Sequence, residues 1–185
     1  MSDGLLSSSS SSSSSALAQH NVFVYGSLLA DEVVHVLLKR VPPSSPATLY
    51  GFHRFSIKGR IYPAILPVEN KKVDGKVLLG ITDPELDVLD TFEDVEYVRR
   101  PINVSLAVTA CMDGPEKLHA YTYVWENKRD PDLYGDWDFE DWKKLHLKDF
   151  LEMTEGLMEE LEQPESKLRV AINESFFQQG DSQVS

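Results

Sequence analysis

Basic residues are scarce in this chain, cysteine nearly so, and long apolar runs are missing altogether. Lys and Arg number 18 against 30 Asp and Glu, a formal net charge of -12 over 185 residues. Phosphate binding needs clustered Lys and Arg. The most basic stretch here is only the pair Arg99-Arg100, so the balance argues against a nucleic-acid partner. The one cysteine, Cys111, rules out an internal disulfide framework and a multi-cysteine zinc site. It sits in an alternating strand pattern and reads as a buried, inert thiol. No stretch approaches the ~18 apolar residues of a membrane span, so no membrane is expected. The N-terminus lacks the basic-then-apolar order of a secretion signal, and the expectation is a soluble cytoplasmic protein. His20, His35, His53, His119 and His146 show no metal-ligand spacing.

What is present is globular: 42% hydrophobic and 26% charged residues, in a length suited to one ordinary domain. Residues 1–20, dominated by the run Ser7 to Ser15, bury no apolar surface and read as a disordered tail. The domain is expected over 21–126, with a helical extension packed on it over 127–185. Asn21 to Tyr25 reads as a strand ended by Gly26. A helix starts near Asp31, with Val33, Val34, Leu37 and Leu38 on one face and Pro42-Pro43 as its stop. Ala47 to Ile57 and Val73 to Ile81 read as strands, with Tyr62-Pro63-Ala64 in the loop between them. Asp83-Pro84-Glu85 opens a short helix, Asp83 acting as cap. Ile102 to Ala110 alternates strictly, as a half-buried strand does. Asp113-Gly114 supplies a turn, and Leu118 to Trp125 returns as its partner. Phe150, Leu151, Thr154, Leu157, Met158 and Leu161 follow the helical period, with Trp137 and Trp142 as packing anchors. Beyond Pro164, the segment Leu168 to Phe176 suggests a last short helix. The whole is an α+β architecture.

Three constellations bear on chemistry. The strand–Gly–helix unit around Gly26 leaves backbone N–H groups unobstructed beside a helix N-terminus, where a carboxylate or carbonyl oxygen can be held. Such turns are common and usually structural, so spacing alone does not make this one a site. Ser27 lacks the flanking glycines of a nucleophile elbow and reads as a locally hydrogen-bonding hydroxyl. The acidic string Asp83, Glu85, Asp87, Asp90, Glu93, Asp94 and Glu96 reads as solvated surface for all but one member. Asp90 and Glu93, three apart, can raise each other's pKa, and a carboxylate so tuned suits general-base work. Asp130 to Asp141 mimics a calcium loop at its first, third and sixth positions. It carries Tyr134 at the fifth and Asp141 at the twelfth, so calcium is disfavoured.

The segments Phe23-Val24-Tyr25-Gly26-Ser27-Leu28, Tyr62-Pro63-Ala64, Leu89-Asp90-x-Phe92-Glu93 and Tyr97-x-Arg99, in that order, resemble the γ-glutamyl-cyclotransferase-like superfamily. The stretch Tyr123-Val124-Trp125-Glu126 through Trp137-Asp138-Phe139-Glu140 is similar to its plant avirulence-induced-gene-like branch. The resemblance implies a small mixed β-barrel with surrounding helices and a site without metal or cofactor. In it, Tyr25, Gly26, Ser27, Leu28, Leu29 and Ala30 hold a small-molecule γ-glutamyl substrate, and Glu93 is the catalytic base. Either Tyr121 or Tyr123 is expected to line the cavity. Family members often carry glycine directly after the catalytic Glu, where this chain has Asp94. Protein partners are left open, and a non-catalytic binding or defence-signalling module on the same fold is the competing reading.

Overall fold

The computed structural model describes residues 18–107 and 116–162. The serine run, Cys111, the Asp113-Gly114 turn and the segment from Pro164 to Phe176 lie outside them. The chain runs through β1 (Gln19–Val24), a 3-10 turn (Ser27–Leu29), α1 (Asp31–Leu38), β2 (Ser44–Ile57) and β3 (Ala64–Thr82). It continues through α2 (Asp83–Glu93), β4 (Tyr97–Leu106), β5 (Lys117–Trp125), β6 (Leu133–Tyr134) and α3 (Phe139–Glu162). β1 thus begins at Gln19, inside the segment read from sequence as tail.

β3 pairs with two strands at once: Leu78 faces Val22 of β1 on one side and Ser44 of β2 on the other. From β1 the pairing passes to β5, then β4, then back to β2, so five strands close a ring. All of these pairings are antiparallel except β1 with β5, which meet in parallel at Val22 and Tyr121. This is the small mixed barrel the resemblance implies, and closure leaves few free edges for association. Where β2 turns the corner, its register with β3 shifts between Tyr50 and Phe52. Gly51 between them takes φ 83, a conformation open to glycine.

Alternation along β1 divides the core. Phe23 and Tyr25 enter the barrel cluster with Leu49, Ile65 and Val77, while Val22 and Val24 join the cluster under the helices with Leu37, Leu78 and Leu89. Leu89 is wholly buried, and truncating such a side chain to Ala costs about 2–5 kcal/mol.

The helix termini differ from expectation by local chemistry. α2 is capped by Thr82 rather than Asp83: the Glu85 N–H donates to Thr82 Oγ1, and the Thr82 N–H donates to Glu85 Oε1. Thr82 holds the extended backbone a cap needs, and Asp83 becomes the first helical residue. α1 ends before its prolines, at a left-handed Lys39 (φ 64) whose N–H donates to His35 O. Arg40 then pairs with Glu85 at 2.7 Å, tying the end of α1 to the start of α2. α3 is one continuous helix whose buried residues Trp142, Phe150, Thr154 and Met158 share a face and pack it along α1. β6 pairs with Ser56 and Ile57 of β2. Among the described residues no helix is long and apolar enough to cross a membrane.

Candidate active site

β1 delivers Tyr25 and Gly26 to the top of the barrel. Tyr25 Oη donates to Tyr123 O at 2.6 Å, and Arg54 Nη1 donates to Tyr25 O at 2.7 Å, so both ends of this residue are anchored. Gly26 is required by proximity rather than handedness. Its φ is -127, but a Cβ there would stand 2.9 Å from two ring carbons of Pro63. The chain then enters the 3-10 turn, in which the N–H groups of Leu29 and Ala30 donate to Gly26 O and Ser27 O. The N–H groups at the head of such a turn have no acceptor within it, and they belong here to Ser27 and Leu28.

The turn forms one wall of a cavity of about 180 Å³. Tyr25, Gly26, Ser27 and Leu28 line it; so do Tyr62 and Pro63 from the loop before β3, and Phe92 and Glu93 from the end of α2. Asp94, Glu96 and Tyr97 follow, with Tyr123 from β5 and Phe150 and Met153 from α3. Leu29 and Ala30 lie beyond it. Leu29 packs into the helix-side cluster, and Ala30 is the buried first cap of α1. Ser27 lines the cavity too.

Glu93 is the last residue of α2, and burial pushes its pKa up to about 8. The expected coupling to Asp90 is not the cause. Asp90 points elsewhere, accepting Tyr123 Oη at 2.7 Å and Arg99 Nη1 at 2.7 Å. The guanidinium of Arg99 also lies 4.9 Å from the centre of the Tyr121 ring. Tyr121 and Tyr123 stand two apart on one face of β5 and both reach the helix-side cluster, so alternation does not separate them; Tyr123 lines the cavity and Tyr121 lies under Arg99.

Burial raises the pKa of Tyr25, Tyr97 and Tyr123, and the nearby Glu93 adds to the rise in each, so all three stay neutral phenols. Each hydroxyl proton is committed: Tyr97 Oη donates to Pro63 O at 2.7 Å, and the other two donate as described. The phenol oxygens retain lone pairs with which to accept.

The acidic string is less uniform than expected, since Glu93, Asp94 and Glu96 all line the cavity. Glu96 pairs with Arg60, which also donates to Tyr62 Oη at 2.6 Å. Asp94 adopts φ 64 and ψ -165, a region that only glycine occupies readily. Its carboxylate accepts the Val95 N–H at 2.8 Å. In the calcium-like loop, the Asp130 carboxylate is taken by Trp125 Nε1 at 3.0 Å and the Asp132 N–H at 2.9 Å. Among the described residues no group of three or more His, Cys, Asp or Glu could hold a metal ion.

Phe150 and Met153 are the site residues that sequence reasoning missed. The helical period placed Phe150 in a packing face, which it also serves. Met153 lies off that face and carried no signal. Phe92, which the sequence places beside Glu93 in the same motif, also lines the cavity.

Known proteins share this chain's sequence and fold. The family described as "Gamma-glutamyl cyclotransferase, AIG2-like" matches residues 22–144. The chain is 59% identical to AIG2-like protein D of Arabidopsis thaliana over 152 residues, which are 82% of this chain and 97% of that one. A second Arabidopsis thaliana protein, known from its solution structure, is 46% identical with a TM-score of 0.57, covering 79% of this chain and 95% of its own. A Methanocaldococcus jannaschii protein whose name begins "Gamma-glutamylcyclotransferase" is 32% identical over 108 residues, 57% of this chain and 46% of that protein. The chain belongs to the AIG2-like branch of the γ-glutamyl-cyclotransferase-like superfamily.

Proposed function

We propose that this protein is a γ-glutamyl cyclotransferase that converts a γ-glutamyl amine or peptide to 5-oxoproline and a free amine, with Glu93 as general base. The observation that carries the reading is a half-buried carboxylate of raised pKa lining the same cavity as the N–H groups at the head of the Gly26 turn. The substrate's α-ammonium cannot attack until it loses a proton. Bringing that cation beside Glu93 favours the carboxylate over the acid, which readies the base as the substrate binds. The α-nitrogen then bonds to the γ-carbonyl carbon, and negative charge moves to the carbonyl oxygen, where the turn's N–H groups stabilise it.

The bond from that carbon to the leaving nitrogen then breaks. One proton passes from the α-nitrogen through Glu93 to the leaving nitrogen. A second, shed by the ring nitrogen, ends on the released amine as its ammonium. With the three tyrosine protons committed to Tyr123 O, Pro63 O and Asp90, the lining carboxylate of raised pKa, Glu93, carries protons both ways. Attacking and attacked atoms share one molecule, so holding its bent conformation supplies much of the acceleration.

The test incubates purified protein with γ-glutamyl amines, γ-glutamyl dipeptides and glutathione and measures 5-oxoproline. Product from at least one of them, lost in Glu93→Gln, is the expected result. Absence of product from all of them would leave a binding module on the same fold.

A further inference from the structure

Resting on the cyclotransferase reading for its effect on rate, we infer that Arg54 is a positioning residue that sets the Gly26 turn from outside the cavity. It holds the oxygen of the Tyr25–Gly26 peptide and thereby aims and strengthens the N–H at that peptide's other end. Arg54 lies on β2, past the register shift at Gly51. Its Nη1 donates to Tyr25 O at 2.7 Å and to Asp74 O at 3.1 Å. A trans peptide is planar and carries its N–H opposite its carbonyl, and no peptide among the described residues is cis. Tyr25 and Gly26 both line the cavity, whereas Arg54 and Asp74 are not among its lining residues. The oxygen of this peptide is therefore held on the side away from the cavity, and the Gly26 N–H is directed toward it. That N–H joins those of Ser27 and Leu28 as a donor to the oxygen on which charge develops.

The guanidinium is itself held in place. It stands 5.5 Å from the centre of the Trp137 ring, and Trp137 Nε1 donates to Ile61 O at 3.0 Å. The cation thus lies between an aromatic face and two carbonyl oxygens. Burial lowers the Arg54 pKa, with Asp74 and Asp138 opposing, but a guanidinium keeps its charge throughout the working range of a protein. A permanent cation on a carbonyl oxygen draws density from the peptide nitrogen, so the N–H beyond it becomes the better donor. This help is already in place when negative charge forms, and it is larger for that charge than for the neutral carbonyl before it. It is therefore felt in kcat more than in KM. Lysine would keep the charge without the planar fork that meets two oxygens and a ring, and glutamine would keep a donor without the charge.

Three substitutions in the full chain test this. Arg54→Met removes charge and donor, Arg54→Gln keeps a donor, and Arg54→Lys keeps the charge. On a compound that yields 5-oxoproline, Arg54→Met is expected to lower kcat about tenfold and KM by less than about threefold, short of the ~10²-fold loss of an oxyanion donor itself. Arg54→Lys is expected to recover more of that kcat than Arg54→Gln. In the ligand-free protein, Arg54→Gln is expected to move the Gly26 amide resonance further than those of residues 27–30, and Arg54→Lys to return it part-way. Should Arg54→Met fail to fold, the two long polar replacements carry the comparison. A native kcat in Arg54→Gln, equal kcat in Arg54→Gln and Arg54→Lys, or a Gly26 resonance unmoved by Arg54→Gln overturns the role of Arg54 and leaves the reaction standing. A Gly26 resonance that follows the charge at position 54, with no 5-oxoproline from any γ-glutamyl compound, sinks the cyclotransferase reading and keeps the hold of Arg54 on the turn.

Discussion

On the barrel side of the cavity, polar groups are tied down. Tyr25 is held at hydroxyl and carbonyl, Tyr97 is bonded to Pro63, and Gly26 is pressed against the Pro63 ring. On the helical side, Glu93 is desolvated with no charge or hydrogen bond to offset it among the described residues, Asp94 sits in a glycine conformation, and Met153 stands half in solvent. The contrast teaches a division of labour. Fixed dipoles orient a substrate at little cost at the moment of reaction, whereas a group that must take and return a proton cannot be committed to a permanent partner.

The widest test of that division is Glu93→Gln. It is expected to lower kcat by about 10²–10⁴-fold while circular dichroism and thermal unfolding show an intact fold. A full rate in this variant would remove chemistry from the helical side. Next comes Gly26→Ala, whose Cβ would meet Pro63 at 2.9 Å. Displacing the turn is expected to cost about 10²-fold in kcat/KM and about 1–3 kcal/mol of stability, read by steady-state kinetics and denaturant titration. An unchanged rate would mean that the barrel side tolerates misplacement.

The pH dependence follows from the Glu93 pKa, raised from 4.5 to about 8 by burial. Its protonated form is favoured in the folded state. The stability this confers is complete below about pH 4.5 and is lost as pH rises toward about 8. The melting temperature of Glu93→Gln is therefore expected to exceed that of the native protein by a margin that widens from pH 5 to pH 8 and then levels. In the native protein, kcat/KM for the proposed reaction is expected to rise through about pH 8 as the free base forms. A flat melting difference would contradict the buried setting of Glu93. The smallest effect is expected from Asp94→Gly. It should relieve backbone strain and stabilise the protein by about 1 kcal/mol, less whatever the Val95 contact contributes, as measured by denaturant titration.

Much of the barrel side was legible in sequence because its signals are local. The short apolar run of Asn21 to Tyr25, the Gly26 break and the helical face from Val33 to Leu38 all lie within single elements. Glu93 was legible through motif order. What escaped depended on neighbours distant along the chain. Pro63 meets Gly26 only after β2 has crossed the barrel. The pairing of Asp90 with Arg99 and Tyr123, which removes it from competition with Glu93, needs β4 and β5 beside α2. Tyr121 and Tyr123, two apart on one strand face, could not be told apart by alternation, and choosing Tyr123 needed the sheet. Met153 was invisible because a residue off the apolar stripe of a helix looks like surface until something is found beneath it.

The single parallel contact of the ring, β1 with β5, has a kinetic consequence. Tyr25 and Tyr123 are 98 residues apart along the chain, yet one hydrogen bond between them positions the start of the turn. Parallel pairing over such a distance is slow to find, because loop closure must be met before the contact rewards it. A chain emerging from its N-terminus makes the turn's residues first and must keep them waiting until β5 arrives. The earliest-written part of the site is then among the last to take its working shape.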